Sequence, residues 1–209
     1  MAANPRLPEF DENSPLRPAR FGHIVVRTRR FKQMAPWYKA LLNAEVLFEL
    51  PTLAFLTYDD EHHRVLIVQH PAVPEPAEDE PPREPAPEGI GHWAYLFDSL
   101  TDLMKAYARL RDEEGITPKY CTNHGFQYSL YYSDPDGNEV ELGCDVFKTR
   151  DELNDWFETG LFAKNFIGFN FDPEEVSKWK REGESDEKIF EYTYQGEAPD
   201  LSIFLEAQP

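Results

Sequence analysis

Cysteine is scarce in this chain, and long apolar runs are absent. The 209 residues include two cysteines, Cys121 and Cys144, which form neither a disulfide framework nor a CxxC metal motif. No apolar stretch approaches the roughly 20 residues that a membrane helix needs. The N-terminal residues also lack the apolar segment of a secretory signal. We therefore expect a cytoplasmic protein that makes no contact with a membrane.

Basic residues are few as well. The chain has 21 Lys and Arg against 39 Asp and Glu, a formal net charge of −18. Nucleic-acid binding needs Lys and Arg to displace counterions, so this balance argues against a nucleic-acid partner and against an anionic membrane surface. Hydrophobic residues make up 41 %, with 15 Phe, 10 Tyr and 4 Trp. This is enough apolar material for a packed core.

Proline marks the boundaries of the chain's segments. Residues 1–19 contain four prolines and no apolar periodicity, which predicts an extended N-terminal arm. Residues 71–89 hold seven of the 18 prolines and six acids, which indicates an exposed acidic linker. The linker separates a first module, 20–70, from a second, 90–146. Together 20–146 form one predicted domain, and 147–209 form a C-terminal extension.

The two modules repeat one pattern. The first begins FGHIVVRT (21–28) and the second IGHWAYLF (90–97), each a short strand-like run with a glycine and a histidine near its start. A helix and three strand-like segments follow in each, and polar turns at 59–63 and 134–138 indicate hairpins. Each module therefore reads β-α-β-β-β. We predict an α+β fold in which two such modules form a pair of curved mixed sheets around a central site.

Helix ends can be read from the sequence. In the first module Asn43 is suited to close the helix, and Pro36 is expected in its first turn. In the second module Ser99 and Asp102 resemble a capping box, and Gly115 suits the position after the helix end.

The extension contains two further helix signals. One is the capping box formed by Thr149 and Glu152, and the other runs from Asp172 and Pro173 to Gly183. The segments FEYTYQ and LSIFLEA look strand-like. We interpret the extension as a packing element or dimer contact rather than a catalytic one.

Two of the six histidines occupy equivalent positions. His62, His63 and His70 lie in or beside polar segments and are expected at the surface. His23 and His92 stand at the same place in the two repeats, so packing about a pseudo-twofold axis would bring their imidazoles together. A single histidine in an apolar strand is usually a hydrogen-bonded core residue, but the symmetric pair favours a shared metal ion.

An acid in an apolar strand completes the predicted site. Glu141 lies in EVELGC together with Glu139, which points to the same side of the strand. An unpaired buried carboxylate is costly, and a metal ion is one of the few partners that stabilise it. The first module has Leu66 or Ile67 at the corresponding position and supplies no ligand. His23, His92 and Glu141 would then form a two-histidine, one-carboxylate site that suits Fe(II), although Mn(II), Zn(II) or Co(II) could occupy it.

Residues 123–142, NHGFQYSLYYSDPDGNEVEL, carry a family resemblance. They match the pattern S-x-Y-x-x-D-P-D-G-N-x-x-E-L, and over about 20–146 the chain resembles the vicinal oxygen chelate superfamily, in particular its compact extradiol ring-cleaving dioxygenases. The resemblance implies that Glu141, His23 and His92 bind the metal and that Tyr131 hydrogen-bonds a substrate oxygen. His124 stands in a loop where such enzymes carry active-site residues, although the local spacing differs, and it would transfer protons.

The same resemblance implies a function. A small catechol-type diol would chelate Fe(II) and react with O2, with an aromatic wall formed by Phe126, Tyr128 and Trp93. A plain core role for these three rings is an equal alternative. Two other functions stay open: a non-oxygenase metal enzyme of the same fold, such as an isomerase, lyase or cyclase, and a ligand-binding module. Family members often dimerise, so a homodimer is a further expectation.

Overall fold

The first module has the predicted order of elements. The computed structural model describes residues 18, 20–69, 72, 74–77, 80–84 and 88–196. The module contains β1 (Ile24–Thr28), α1 (Phe31–Leu42), β2 (Glu45–Leu50), β3 (Leu53–Thr57) and β4 (Val65–Gln69). The strands form one sheet in the order β1-β4-β3-β2, in which β1 and β4 are parallel and the other pairs antiparallel.

The second module repeats this topology. It contains β5 (His92–Leu96), α2 (Leu100–Glu113), β6 (Tyr120–Asn123), β7 (Gln127–Ser133) and β8 (Glu139–Asp145). The order within its sheet is β5-β8-β7-β6, again with the first pair parallel. The predicted α+β class and the β-α-β-β-β repeat are therefore confirmed. No helix in the described parts of the chain is long and apolar enough to cross a membrane.

The C-terminal extension is mainly helical and adds one short strand. Its elements are α3 (Arg150–Glu158), α4 (Leu161–Lys164), β9 (Phe169–Asn170), α5 (Pro173–Arg181) and α6 (Asp186–Thr193). Strand β9 pairs with β6 and extends the second sheet to five strands.

The strand-like interpretation of FEYTYQ is wrong. Most of this segment belongs to α6, which begins after the N-cap Ser185 and buries Ile189 and Thr193, four residues apart, on one face. LSIFLEA lies outside the described residues, as do His70 and nearly all of the N-terminal arm.

Most predicted helix ends are confirmed. Asn43 closes α1 in the left-handed conformation, and Ser99 caps α2 by accepting from the Asp102 amide. The placement of Pro36 was wrong: α1 begins at Phe31, so Pro36 lies inside the helix. The early start buries Phe31 and Met34, and this apolar burial offsets the hydrogen bond that Pro36 cannot donate.

Contacts between the helix-facing sides join the two modules. The Tyr38 hydroxyl on α1 donates to the buried carboxylate of Asp134, at 2.9 Å, in the turn between β7 and β8. The Tyr38 ring also stacks on Trp93 of β5, with ring centroids 6.4 Å apart. On α2, Arg109 donates to the Ala40 carbonyl at 2.6 Å. These contacts lie on the helix-facing sides of the two sheets, and the candidate site lies on the opposite face of the second sheet.

Candidate metal and catalytic site

Glu141 lies at the centre of the second sheet. Strand β8 runs between β5 and β7, and its register places Glu141 beside Ala94 on one side and Tyr131 on the other. Neighbouring residues on a strand point to opposite faces, so Val140 and Leu142 enter the core while Glu141 points away from it. The residue is only 3 % exposed. Its carboxylate therefore needs polar partners on that face.

Two side chains supply these partners. The His92 Nε2 atom lies 2.9 Å from Oε2 of Glu141. The buried Ser129 hydroxyl donates to Oε1 at 2.5 Å. Ser129 fixes the plane of the carboxylate, while His92 remains partly accessible, with 41 % of its side chain exposed. An imidazole nitrogen and a carboxylate oxygen thus stand side by side at an accessible surface, the donor types that a divalent transition metal prefers.

Tyr131 and His124 lie next to this pair. The Tyr131 ring meets the His92 ring edge to face, with centroids 5.4 Å apart, and stacks on Tyr120 at 4.5 Å. The His124 Nε2 atom is 3.0 Å from the Tyr131 hydroxyl. Burial, reinforced by the nearby Glu141 carboxylate, raises the pKa of Tyr131 to about 12, so the phenol keeps its proton.

Burial also shifts the pKa of His124 below its usual value. The effect outweighs the opposing charge of Glu141 and a hydrogen bond to the Ile167 backbone. A neutral imidazole is therefore favoured at neutral pH, and such a group can accept a proton. The pairing with Tyr131 gives the site one group that can accept a proton and one that can donate a hydrogen bond.

The C-terminal extension packs directly against the His124 segment. Strand β9 pairs Phe169 with Asn123, the residue before His124. The buried Asn165 side chain donates to the Gly168 carbonyl and accepts from the Gly168 amide, both at 2.9 Å, which holds the turn leading into β9. Gly168 has a φ of +92°, and a Cβ there would lie 2.3 Å from the Asn123 carbonyl oxygen and 2.8 Å from the His124 Cα.

This close approach predicts a stability effect. Gly168→Ala should lower the free energy of unfolding by about 3 kcal/mol, because left-handed strain costs about 1–2 kcal/mol and steric overpacking about 1–3 kcal/mol. Urea denaturation followed by circular dichroism measures the change. The matched control is Gly183→Ala, which has a similar φ of +83° but no atom within 4 Å of the new Cβ.

The control should lose only the strain contribution, about 1 kcal/mol. Equal losses in the two variants would show that the contact between the extension and the His124 segment does not carry the effect.

The structure brings together some of the predicted site residues. His92, Glu141, His124 and Tyr131 form one contiguous group. His23 lies just before β1, exposed, with its ring centroid 4.2 Å from that of His63 and 6.2 Å from that of His62. Within the part of the chain that the structure describes, no three His, Cys, Asp or Glu side chains are placed to hold one metal ion. The role of His23 as third ligand stays a prediction.

His63 is not a surface residue as expected. It is 7 % exposed because it packs between His23 and the Phe55 ring. Burial lowers the pKa of His63, and the neighbouring His23 and His62 lower it further. His62 is exposed, as predicted.

The predicted aromatic wall divides between the two faces of the sheet. Phe126 is near the site: its ring centroid is 6.0 Å from that of His124, and it contacts Trp156 and Phe162 of the extension. Trp93 and Tyr128 point to the opposite face, because each directly neighbours a strand residue, His92 or Ser129, that faces Glu141.

On that opposite face Trp93 stacks on Tyr38, and the buried Tyr128 hydroxyl lies 3.1 Å from Thr193. Trp93 and Tyr128 therefore pack in the core, and of the three rings only Phe126 lies beside His124, where a role in substrate binding stays a prediction.

Sequence reasoning missed three contributors to the site. Ser129 is the first residue of the quoted S-x-Y pattern, so its signal was present although no role was assigned to it. Tyr120, which stacks on Tyr131, and the turn at Gly168 had no sequence signal, because each reaches the site only through long-range pairing of strands.

Comparison with known proteins identifies the family to which this fold belongs. A profile of the Glyoxalase/Bleomycin resistance protein/Dioxygenase superfamily matches residues 20–142. The chain belongs to this superfamily.

Among its relatives, biphenyl-2,3-diol 1,2-dioxygenase 2 from Rhodococcus globerulus is 43 % identical over 154 residues, which cover 74 % of this chain and 77 % of that enzyme. Biphenyl-2,3-diol 1,2-dioxygenase 3 from the same organism is 41 % identical over 156 residues, covering 74 % and 78 %.

A solved domain titled glyoxylase/bleomycin resistance protein/dioxygenase, from Frankia sp., aligns with a TM-score of 0.48 at 18 % identity, covering 66 % of this chain and 99 % of that domain.

Proposed function

We propose that this chain is an Fe(II)-dependent extradiol dioxygenase that cleaves the ring of a catechol-type substrate with O2. The observation that carries the proposal is the pairing of the buried Glu141 carboxylate with the accessible His92 imidazole, directly beside His124 and Tyr131. The relatives named as biphenyl-2,3-diol 1,2-dioxygenases support the reaction type and suggest an aromatic diol as the substrate.

His92 and Glu141 would hold the metal ion through one nitrogen and one or two oxygens. His23 is the proposed third ligand on the strength of its repeat position, and it is exposed just outside β1. The Ser129 hydroxyl orients the Glu141 carboxylate, a role that outer-shell partners of metal ligands commonly have. A bound Fe(II) ion would act as Lewis acid and as template for the two adjacent oxygens of a diol.

The residues around the ion have distinct roles. His124, with its lowered pKa, would accept a proton from a substrate hydroxyl at Nε2, the nitrogen that faces the Tyr131 hydroxyl. Tyr131, which stays protonated, would donate a hydrogen bond to a substrate oxygen. Phe126 and its aromatic neighbours on the extension, Trp156 and Phe162, would shield that side of the ring from water.

The first module favours this reaction over glyoxalase-type chemistry. A fourth protein ligand would have to come from β4, where Leu66 is partly buried and Ile67 fully buried. Neither side chain can bind a metal ion. A set of three protein ligands would leave the ion able to bind a diol and O2 as well.

The direct test is oxygen uptake. Protein purified anaerobically and loaded with Fe(II) should consume one O2 per diol, with growth of a yellow ring-fission product, when given biphenyl-2,3-diol or catechol. The monomethyl ethers of the same diols are matched controls, because they cannot offer two ionisable adjacent oxygens, and they should give no uptake. Iron-replete protein that consumes no O2 with any diol would contradict the proposal.

A further inference from the structure

A cavity of about 320 Å³ lies away from Glu141, between the end of β1, the acidic linker and the turn joining β7 to β8. Four of the eight described residues that line it are arginines: Arg27, Arg29, Arg30 and Arg83. The carboxylates among these eight residues are Glu80 and Asp136. The described lining is therefore cationic, in a chain whose acids outnumber its bases by 39 to 21.

Three of these arginines form bonds that hold the linker against the rest of the fold. Arg29 forms a 2.9 Å ion pair with Glu80. Arg30 donates through Nη2 to the carbonyls of Glu80 and Pro81, at 2.7 and 3.1 Å. Arg83 binds the Asn138 side chain. These bonds explain why arginines occur here, but they do not use all of the available donors.

Two arginines retain unused donors. The Arg27 side chain is exposed on β1 and forms no hydrogen bond or ion pair with any described residue. The Arg30 side chain is only 6 % exposed, and its Nε atom has no hydrogen-bond acceptor, with Asp136 Oδ1 at 3.5 Å as its nearest charge partner. A buried guanidinium N–H without an acceptor costs free energy, and negative charge bound close to this guanidinium would stabilise it.

Helix α1 starts at the edge of the cavity: Arg30 lines it, whereas residues 31–33 of the first turn line a neighbouring cavity. Helix α1 begins directly after Arg30, has no side-chain cap and carries no acid in its first turn. Its N-terminus therefore keeps the partial positive charge that favours anions. The unused guanidinium donors and the uncapped helix end point to one class of ligand.

We propose that this cavity binds a small oxyanion, a carboxylate or a phosphate, through the guanidinium groups of Arg27 and Arg30. Planar guanidinium groups match both kinds of oxyanion, and charge-assisted hydrogen bonds of this type are among the stronger ones in proteins. The site is separate from the proposed dioxygenase reaction and does not depend on it.

The test is isothermal titration calorimetry on the full chain with inorganic phosphate and, separately, acetate, in chloride buffer at constant ionic strength. At least one anion should bind saturably to the wild type. Arg27→Gln should weaken that binding about tenfold or more, the loss expected for one hydrogen bond to a charged group. The variant removes no hydrogen bond or ion pair seen among the described residues, so the fold should be retained, which circular dichroism checks.

Arg150→Gln is the matched control. Like Arg27, Arg150 is exposed, but it lies at the start of α3 and is not among the described residues that line the cavity. This variant has the same net charge as Arg27→Gln and should bind the anion like the wild type. Absence of saturable binding by both anions, or equal affinities of the two variants, would overturn the proposal. Preference between phosphate and acetate then identifies which oxyanion the cavity takes.

Discussion

Glu141→Gln is expected to weaken Fe(II) binding by more than about a hundredfold, beyond the 10–100-fold typical of changes to outer-shell partners, and to abolish O2 uptake. The amide has the shape of the carboxylate, and its oxygen can still accept from Ser129, so the fold should be retained. What is lost is the negative charge beside His92. Iron content after anaerobic reconstitution and desalting, measured by inductively coupled plasma spectrometry, tests the prediction.

Glu139→Gln is the internal control for this experiment. Glu139 lies two residues away on the same strand and face, but it bonds the Tyr120 hydroxyl at 2.9 Å and lies 3.8 Å from Lys119. Its approach to His92, 4.0 Å, is to Nδ1 and not to the Nε2 atom that faces Glu141. This variant should keep its iron and most of its activity. A Glu141→Gln protein that retains full iron, or two variants that lose iron equally, would refute the assignment of Glu141.

The same measurement decides the third ligand. His23→Ala should lose iron to the same extent as His92→Ala if His23 binds the metal. His62→Ala, which removes the exposed neighbour of His23, should not lose iron. Normal iron content in His23→Ala would show that His23 is not a ligand and that His92 and Glu141 bind the metal without it.

His124→Gln is expected to lower kcat by about 10²- to 10⁴-fold, the usual contribution of a general acid–base, while iron content stays unchanged. Glutamine can still hydrogen-bond the Tyr131 hydroxyl, but it cannot accept a proton at the position of Nε2. His62→Gln is the control and should leave kcat unchanged. Loss of iron in His124→Gln would show that this residue is a ligand rather than the proton acceptor.

The pKa of His124 adds a dependence on pH. Because its pKa is lowered in the folded state, the folded protein binds fewer protons than the unfolded chain once pH falls below about 6.5, the unperturbed value for histidine. Stability should therefore decrease as pH falls through this range. The decrease should be smaller in His124→Gln, as urea denaturation at pH 5.5 and pH 7.5 would show.

The aromatic residues show where sequence reasoning stopped being sufficient. Trp93 and Tyr128 were equally good candidates for a substrate wall or for the core, because a ring in a short apolar strand suits both. The register of the strands decides whether each ring lies in the substrate wall or in the core. Once Ser129 is bonded to Glu141, Tyr128 must lie on the other face. Phe126 keeps its proposed role because it precedes β7 and packs beside His124.

The sequence alone determined the features that depend on short-range chemistry. The repeat, the β-α-β-β-β sequence of elements in each module, the hairpin turns and the caps at Asn43, Ser99 and Thr149 follow from local spacing and hydrogen bonding, and the structure confirms them. Only the tertiary structure decided that Pro36 lies within a helix, that His63 is buried, and that the extension packs on the His124 segment. These outcomes depend on which surfaces meet across the fold, because burial and strand pairing between distant segments leave no periodic signal in either segment alone.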